Sequence, residues 1–206
     1  MNKLLSFCIM LTVFLPISAQ DAKHILEKAE QHFLQYTGIE ASFSVRNVNE
    51  GFTQYGKIAL QGKRFKLQTE GMTTWFDGKT QWTYIQSNDE VNVSEPDDSE
   101  LESINPYAFL SLYKNGYSLK MGKSDHAAGR PAYEVHLLAE KKSQTIWQMV
   151  LMLDRQTYQP IQIKIRQRFD KWLIFNITSF TEKHWDDDHF TFQKSEAPNA
   201  EIIDLR

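Results

Sequence analysis

The chain has 206 residues, 23 of them basic and 26 acidic, for a formal net charge of −3. Apolar residues make up 41% and charged residues 24%, which excludes a polytopic membrane protein and argues against a disordered chain. The weak negative charge also argues against a nucleic-acid partner, which needs a basic surface.

Residues 1–19 have the layout of a secretory signal. Lys3 is the basic start, Leu4 to Leu15 is nearly unbroken apolar sequence, and Ile17-Ser18-Ala19 closes on small residues. The apolar run is shorter than the roughly 20 residues a spanning helix needs, so cleavage after Ala19 is expected, with an uncleaved anchor as the alternative. Cys8, the one cysteine, lies inside this segment. Residues 20–206 then form one exported, cysteine-free domain, without disulfides, thiol chemistry or cysteine-based zinc.

Asp21 to Tyr36 is predicted as an amphipathic helix, because Ala22, Ile25, Leu26, Ala29, Phe33 and Tyr36 fall on one stripe. Asp21 is its expected cap and Gly38 its expected left-handed terminator. Strand signals follow. Ala41, Phe43 and Val45 alternate with polar residues, as do Ile58 and Leu60, then Phe65 and Leu67. Asp77-Gly78 predicts a hairpin between Met72–Phe76 and Thr80–Ile85, and Ser87-Asn88-Asp89 the next turn.

Residues 95–102 are acidic and read as a surface loop. Asn105-Pro106 then predicts a helix start, and Tyr107, Phe109, Leu110, Leu112 and Tyr113 make a short apolar helix ending near Gly116. Further strands are expected around Tyr133–Leu137, Trp147–Leu153, Ile161–Ile165 and Trp172–Phe180, with Phe190 and Phe192 marking a last short one. Two helices and about ten strands with short connections define an α+β, mainly β fold. The expected form is a single large curved antiparallel sheet wrapped towards a barrel around the helices.

No nucleophile-elbow, zincin, P-loop or dinucleotide motif occurs. The densest polar cluster, His184-Trp185-Asp186-Asp187-Asp188-His189, reads as an Asp-rich turn, with a divalent-metal site as the competing reading. His126 reads as a loop residue, and His24 and His32 as flanks of the first helix. Two glycosylation sequons start at Asn92 and Asn176, the second in mid-strand. Aromatic residues reach 13%; along the strands they describe either a filled core or a ligand cavity.

Several motifs together resemble the periplasmic carriers of outer-membrane lipoproteins (LolA-type). These are the helix Ile25–Tyr36 followed by Ala41-Ser42-Phe43, then Gly56-Lys57-Ile58-Ala59-Leu60 and Phe65-Lys66-Leu67. The clearest is Asp77-Gly78-Lys79-Thr80-Gln81-Trp82-Thr83-Tyr84, which looks like the family's D-G-x-x-x-W-x-Y hairpin. The apolar helix after Pro106, Phe190-Thr191-Phe192 and Ile202-Ile203-Asp204-Leu205 also fit.

The resemblance implies an unclosed half-barrel with an N-terminal helix and a short helical lid. It implies transport of acyl chains through the periplasm without catalysis, cofactor or metal. The cavity and lid would then be lined by Phe33, Phe43, Val45, Ile58, Leu60, Phe65, Leu67, Trp75, Trp82, Tyr84, Phe109, Leu110, Leu112 and Tyr113. Its partners would be lipoproteins or other lipid acyl chains, an inner-membrane donor complex and an outer-membrane acceptor, and a shuttle implies a monomer. The family's arginine-proline step is missing near Gln61-Gly62-Lys63, and Arg64 precedes Phe65 instead. Two other readings stay open: a periplasmic sensor or adaptor that binds a partner protein on the same half-barrel, and a hydrolase using His184 or His189.

Overall fold

The computed structural model describes residues 17–48, 51–97, 101, 112–141, 144, 146–167 and 172–206. One helix, α1 (Ile17–Leu34), precedes the strands β1 (Ile39–Asn47), β2 (Thr53–Gln61), β3 (Arg64–Thr69), β4 (Met72–Phe76), β5 (Gln81–Ile85) and β6 (Glu90–Ser94). After a one-turn 3-10 helix at Leu112–Lys114 come β7 (Tyr117–Met121), β8 (His126–Ala127), β9 (Arg130–Ala139), β10 (Ile146–Asp154), β11 (Pro160–Gln167) and β12 (Trp172–Glu182). Two further 3-10 turns, Asp187–Phe190 and Lys194–Glu196, lead to β13 (Glu201–Asp204).

The strands form a single 13-stranded sheet in the order β13-β6-β5-β4-β3-β2-β1-β12-β11-β10-β9-β7, with β8 paired to β9. The edges β13 and β7 do not pair with each other, so the barrel is unclosed. One face is the inner one, against which α1 packs near β7 and β9. Side chains alternate across strands, so the pairing register tells which residues share that face. A row from Met121 runs through Val135, Leu151, Ile163, Phe175 and Val45 to Gln54. A second runs from Ile39 through Leu60, Phe65 and Phe76 to Gln81 and Ser94. The apolar members of both rows belong to one core cluster that also takes Ala22, Ile25, Leu26, Ala29 and Phe33 of α1.

Four expectations are corrected. The helix begins at Ile17 and ends at Leu34, so Asp21 is inside it rather than capping it. Gly38 is not among the left-handed glycines; it is small because a Cβ there would sit 2.4 Å from the Lys183 carbonyl oxygen. Phe190 and Phe192 do not form a strand. Phe190 ends a 3-10 turn, and the last strand is β13, which pairs parallel to β6. The parallel pairing arises because the chain leaves β12, crosses the outer face of β3–β6 and arrives at the sheet's far edge in the same direction as β6. His126 is in the two-residue strand β8 rather than a loop, closed by Ala128 and Gly129 at positive φ. The expected helix after Pro106 falls largely outside the described residues, and its end is the 3-10 turn Leu112–Lys114.

That crossing segment, residues 183–200, is a strap. Arg64 pairs with Asp187 and lies over the Phe190 ring, Lys66 pairs with Glu196, and Trp75 meets Phe192 edge-on at 5.3 Å. Ala197 and Ala200 pack on Val91 and Val93, with Trp82, Tyr84 and Phe192 around them.

An apolar trough on the inner face as candidate functional site

Seven of the residues expected to line a cavity do meet on the inner face. Phe33, Phe43, Ile58, Leu60 and Phe65 are buried in the main cluster, and Val45 and Leu67 are half-buried against it. Leu112 and Tyr113 join the same cluster, while Phe109 and Leu110 lie outside the described residues. Phe43 owes its position to its cross-strand partner Gly56. Its ring occupies the space a Cβ of Gly56 would take, 2.3 Å away.

Trp75, Trp82 and Tyr84 are on the other face. Register places Thr74 and Thr83 inside, between Leu67 and Asn92, so their sequence neighbours point outward. There they meet the strap. The inner face of the β4–β6 wing is instead partly polar. The Thr74 and Thr83 hydroxyls are 3.4 Å apart, and Gln81 Nε2 donates to Thr83 Oγ1 at 3.4 Å. Gln81 Oε1 is buried and finds no hydrogen-bond partner among the described residues.

The sequence reading missed the wall supplied by β7, β9 and β12. Leu119, Met121, Tyr133, Phe175, Ile177 and Phe180 are half-buried against the main cluster. Tyr133, Phe175, Ile177 and Phe180 fell in expected strands without being placed on the trough, and β7 with Leu119 and Met121 was not expected.

Burial varies along the trough. At the end near the α1–β1 turn the inner side chains are sealed: Ile39 and Phe65 are fully buried and Leu60 and Phe76 nearly so. Phe33, Tyr36 and Phe180 close that end with ring contacts of 5.5–6.5 Å. Towards the other end the wall opens along β12, β1, β3 and β4, while its β9–β11 part stays buried at Leu137, Met149 and Ile165. Val45, Leu67, Phe175 and Leu173 are only half-buried, and Met72 is 37% exposed. The result is an apolar trough with a closed floor and, among the described residues, an open mouth.

Polar anchors stand at its margin. Tyr113 Oη donates to Glu30 Oε2 at 3.0 Å, and Lys114 pairs with Glu30 Oε1. Burial, and then the Glu30 carboxylate, push the Tyr113 phenol well above its ordinary range. This ties the 3-10 turn to α1. Arg64 points to the outer face and holds the strap.

The His184–His189 stretch is an extended run followed by a 3-10 turn within the strap. His189 stacks on Trp185 at 3.8 Å. Burial, together with the neighbouring Lys66 and Lys183, lowers the pKa of its imidazole. Among the described residues no group of three His, Cys, Asp or Glu side chains is placed to hold a metal ion. No helix of the described residues is long and apolar enough to cross a membrane.

A one-layer, unclosed sheet whose apolar inner face is covered, among the described residues, by one helix is a half-barrel fold. The chain belongs to the family described as outer membrane lipoprotein carrier protein LolA, whose family model matches residues 12–169. The strap and β13 lie beyond that match. No curated protein matches the chain in sequence. Among solved structures it is similar to an uncharacterized conserved protein from Thermus thermophilus, with a TM-score of 0.62 at 13% identity over 90% of this chain and 99% of that one. It is also similar to a DUF1329 family protein from Desulfovibrio piger, with a TM-score of 0.52 at 10% identity over 87% and 99%. The lipoprotein LppX of Mycobacterium tuberculosis shares the fold with a TM-score of 0.52 at 9% identity over 83% and 100%. At these identities the likeness is one of fold.

Proposed function

We propose that this protein carries acyl chains of lipoproteins, or of another lipid, across the periplasm in the inner-face trough, without catalysis. The observation that carries the reading is the burial gradient: a continuous apolar surface runs from the sealed Ile39–Phe65 floor to the half-buried Val45–Phe175 wall. The family membership supports it. Residues 1–19 serve as a cleaved export signal, and the donor and acceptor are proteins or lipids at the two membranes.

The energetics suit a carrier. A buried methylene contributes about 0.8 kcal/mol, so a long acyl chain brings roughly 10 kcal/mol gross. The loss of translational and rotational freedom on association offsets part of this, so the net affinity is well below the gross figure and cargo can be released. The polar Thr74–Thr83–Gln81 wing gives the polar end of such a cargo hydrogen-bonding partners beside the apolar floor.

The test is native mass spectrometry of protein purified from its own periplasm under mild conditions, followed by titration with a fluorescent fatty acyl probe. Acyl-bearing adducts and saturable probe binding are expected. A protein that is always empty and never binds the probe overturns the reading.

A further inference from the structure

Among the described residues, six of the nine exposed large apolar side chains, namely Val48, Phe52, Tyr55, Met72, Leu138 and Trp147, are at one end of the half-barrel. Register shows that this is one end. Leu138 pairs with Gln148, Gln148 with Arg166, and Arg166 with Trp172. The Val48 N–H donates to the Trp172 carbonyl, Arg46 pairs with Thr53, and Met72 with Thr69 across the next turn. This is also the end where the trough opens.

The belt has a definite chemistry. Tyr55 is 70% exposed, Phe52 49%, Val48 48% and Trp147 46%. From β2 to β9 it extends about 24 Å measured along the sheet. Exposed Arg46, Lys120 and Lys141 stand in or beside it, with Lys164 and Arg166 on the same outer face. Between β1 and β9 the acidic residue nearest the belt among the described residues is Glu140, next to Lys141; Glu134, deeper on β9, is held by Ser124 and His136. On the β3–β6 side, Glu70 and Asp89 reduce the positive charge, so the basic character belongs to the β1–β9 side.

Aromatic rings mixed with small apolar groups and cations are suited to the lipid headgroup layer. Rings with one apolar side partition there, and each cation adds attraction to anionic lipid. We propose that this end of the half-barrel docks on an anionic bilayer surface, seating the mouth of the trough against the lipid. The inference goes beyond the carrier reading, because it concerns the exposed belt around the mouth and is tested without any cargo.

The experiment is flotation of the full chain with phosphatidylglycerol–phosphatidylethanolamine vesicles, compared with phosphatidylcholine vesicles. The wild type is expected to float with the anionic vesicles, and to float less in high salt. Phe52→Ser combined with Trp147→Ser is expected to weaken binding about tenfold or more, with an unchanged melting temperature and unchanged probe binding in solution. Ile202→Ser and Leu34→Ser, exposed but away from the belt, leave flotation unaltered. The proposal is overturned if the wild type ignores anionic vesicles, or if the belt variant floats as well as the wild type. It is also overturned if the control variants lose as much, or if the belt variant abolishes a dimer seen by ultracentrifugation while vesicle binding is absent. Loss of acyl binding with vesicle binding retained would count against the carrier reading alone.

Discussion

The side chain of Gln61 holds the backbone of Trp185 from both sides. The Trp185 N–H donates to Gln61 Oε1 at 2.9 Å, and Gln61 Nε2 donates to the Trp185 carbonyl at 3.1 Å. One amide at the end of β2 therefore fixes where the strap leaves the sheet. Gln61→Ala would strand two partly buried backbone groups, at a cost of about 1–3 kcal/mol. The expected result is a lower urea midpoint, and new proteolytic cleavage within residues 183–200 before the rest of the chain is cut.

Phe65 and Phe175 separate stability from binding. Phe65 is fully buried on the sealed floor, so Phe65→Ala costs about 3–5 kcal/mol and impairs folding. Phe175 is half-buried on the open wall. Phe175→Ala is expected to cost clearly less stability, yet to weaken the acyl probe about tenfold, since the ring's burial on binding is worth about 1.5–3 kcal/mol. Melting curves and probe titrations on the two variants check this.

Trp82 gives the opposite outcome. It packs on the outer face beside Val91 and Val93 under the strap. Trp82→Ala is expected to lower the melting temperature and to leave acyl-probe affinity within about twofold of wild type, well inside the tenfold that corresponds to about 1.4 kcal/mol. A large loss of affinity in a still-folded variant would place the indole in the trough after all.

Glu134 sets part of the acid sensitivity. Burial raises its pKa, but hydrogen bonds from Ser124 and the contact with His136 override that and hold the carboxyl down to about 2. Its folded pKa lies below the unfolded value, so its contribution is fully present above about pH 4.5. It is lost as the pH falls towards 2, and amounts to at most about 3 kcal/mol. Glu134→Gln is expected to be less stable than wild type at pH 7, and to lose less stability than wild type between pH 5 and pH 2. Urea titrations across that range read the difference.

Much of the strand architecture was legible because alternation is local. Ile161, Ile163 and Ile165 alternate with polar residues and form β11. Asp77-Gly78 marks a turn in which Asp77 Oδ1 accepts the N–H groups of Lys79 and Thr80, with Gly78 at φ +106. The helix boundary was less legible, because Ile17 to Gln20 suit both the tail of an export signal and the first turn of α1. Phe43, Ile58 and Phe65 of β1–β3 were put in the cavity by the family likeness, and register places them together on the inner face.

On β4–β6 the family likeness put Trp75, Trp82 and Tyr84 in the cavity, and alternation could not have corrected it. A period of two residues shows that a strand has two faces but does not say which is inside. There the large apolar groups Trp75, Trp82, Val91 and Val93 are outside, and Thr74, Thr83 and Asn92 are inside. What makes that arrangement stable is the strap, a segment far away in the sequence whose Phe192, Ala197 and Ala200 cover the outward rings. Sequence by itself determined the strand periodicity, the turns, the apolar stripe of α1 and the family likeness, all carried by neighbouring residues. Only the tertiary structure decided which face each wing turns inward, where the trough opens and how the last strand enters the sheet. Those outcomes depend on long-range burial, which no local pattern records.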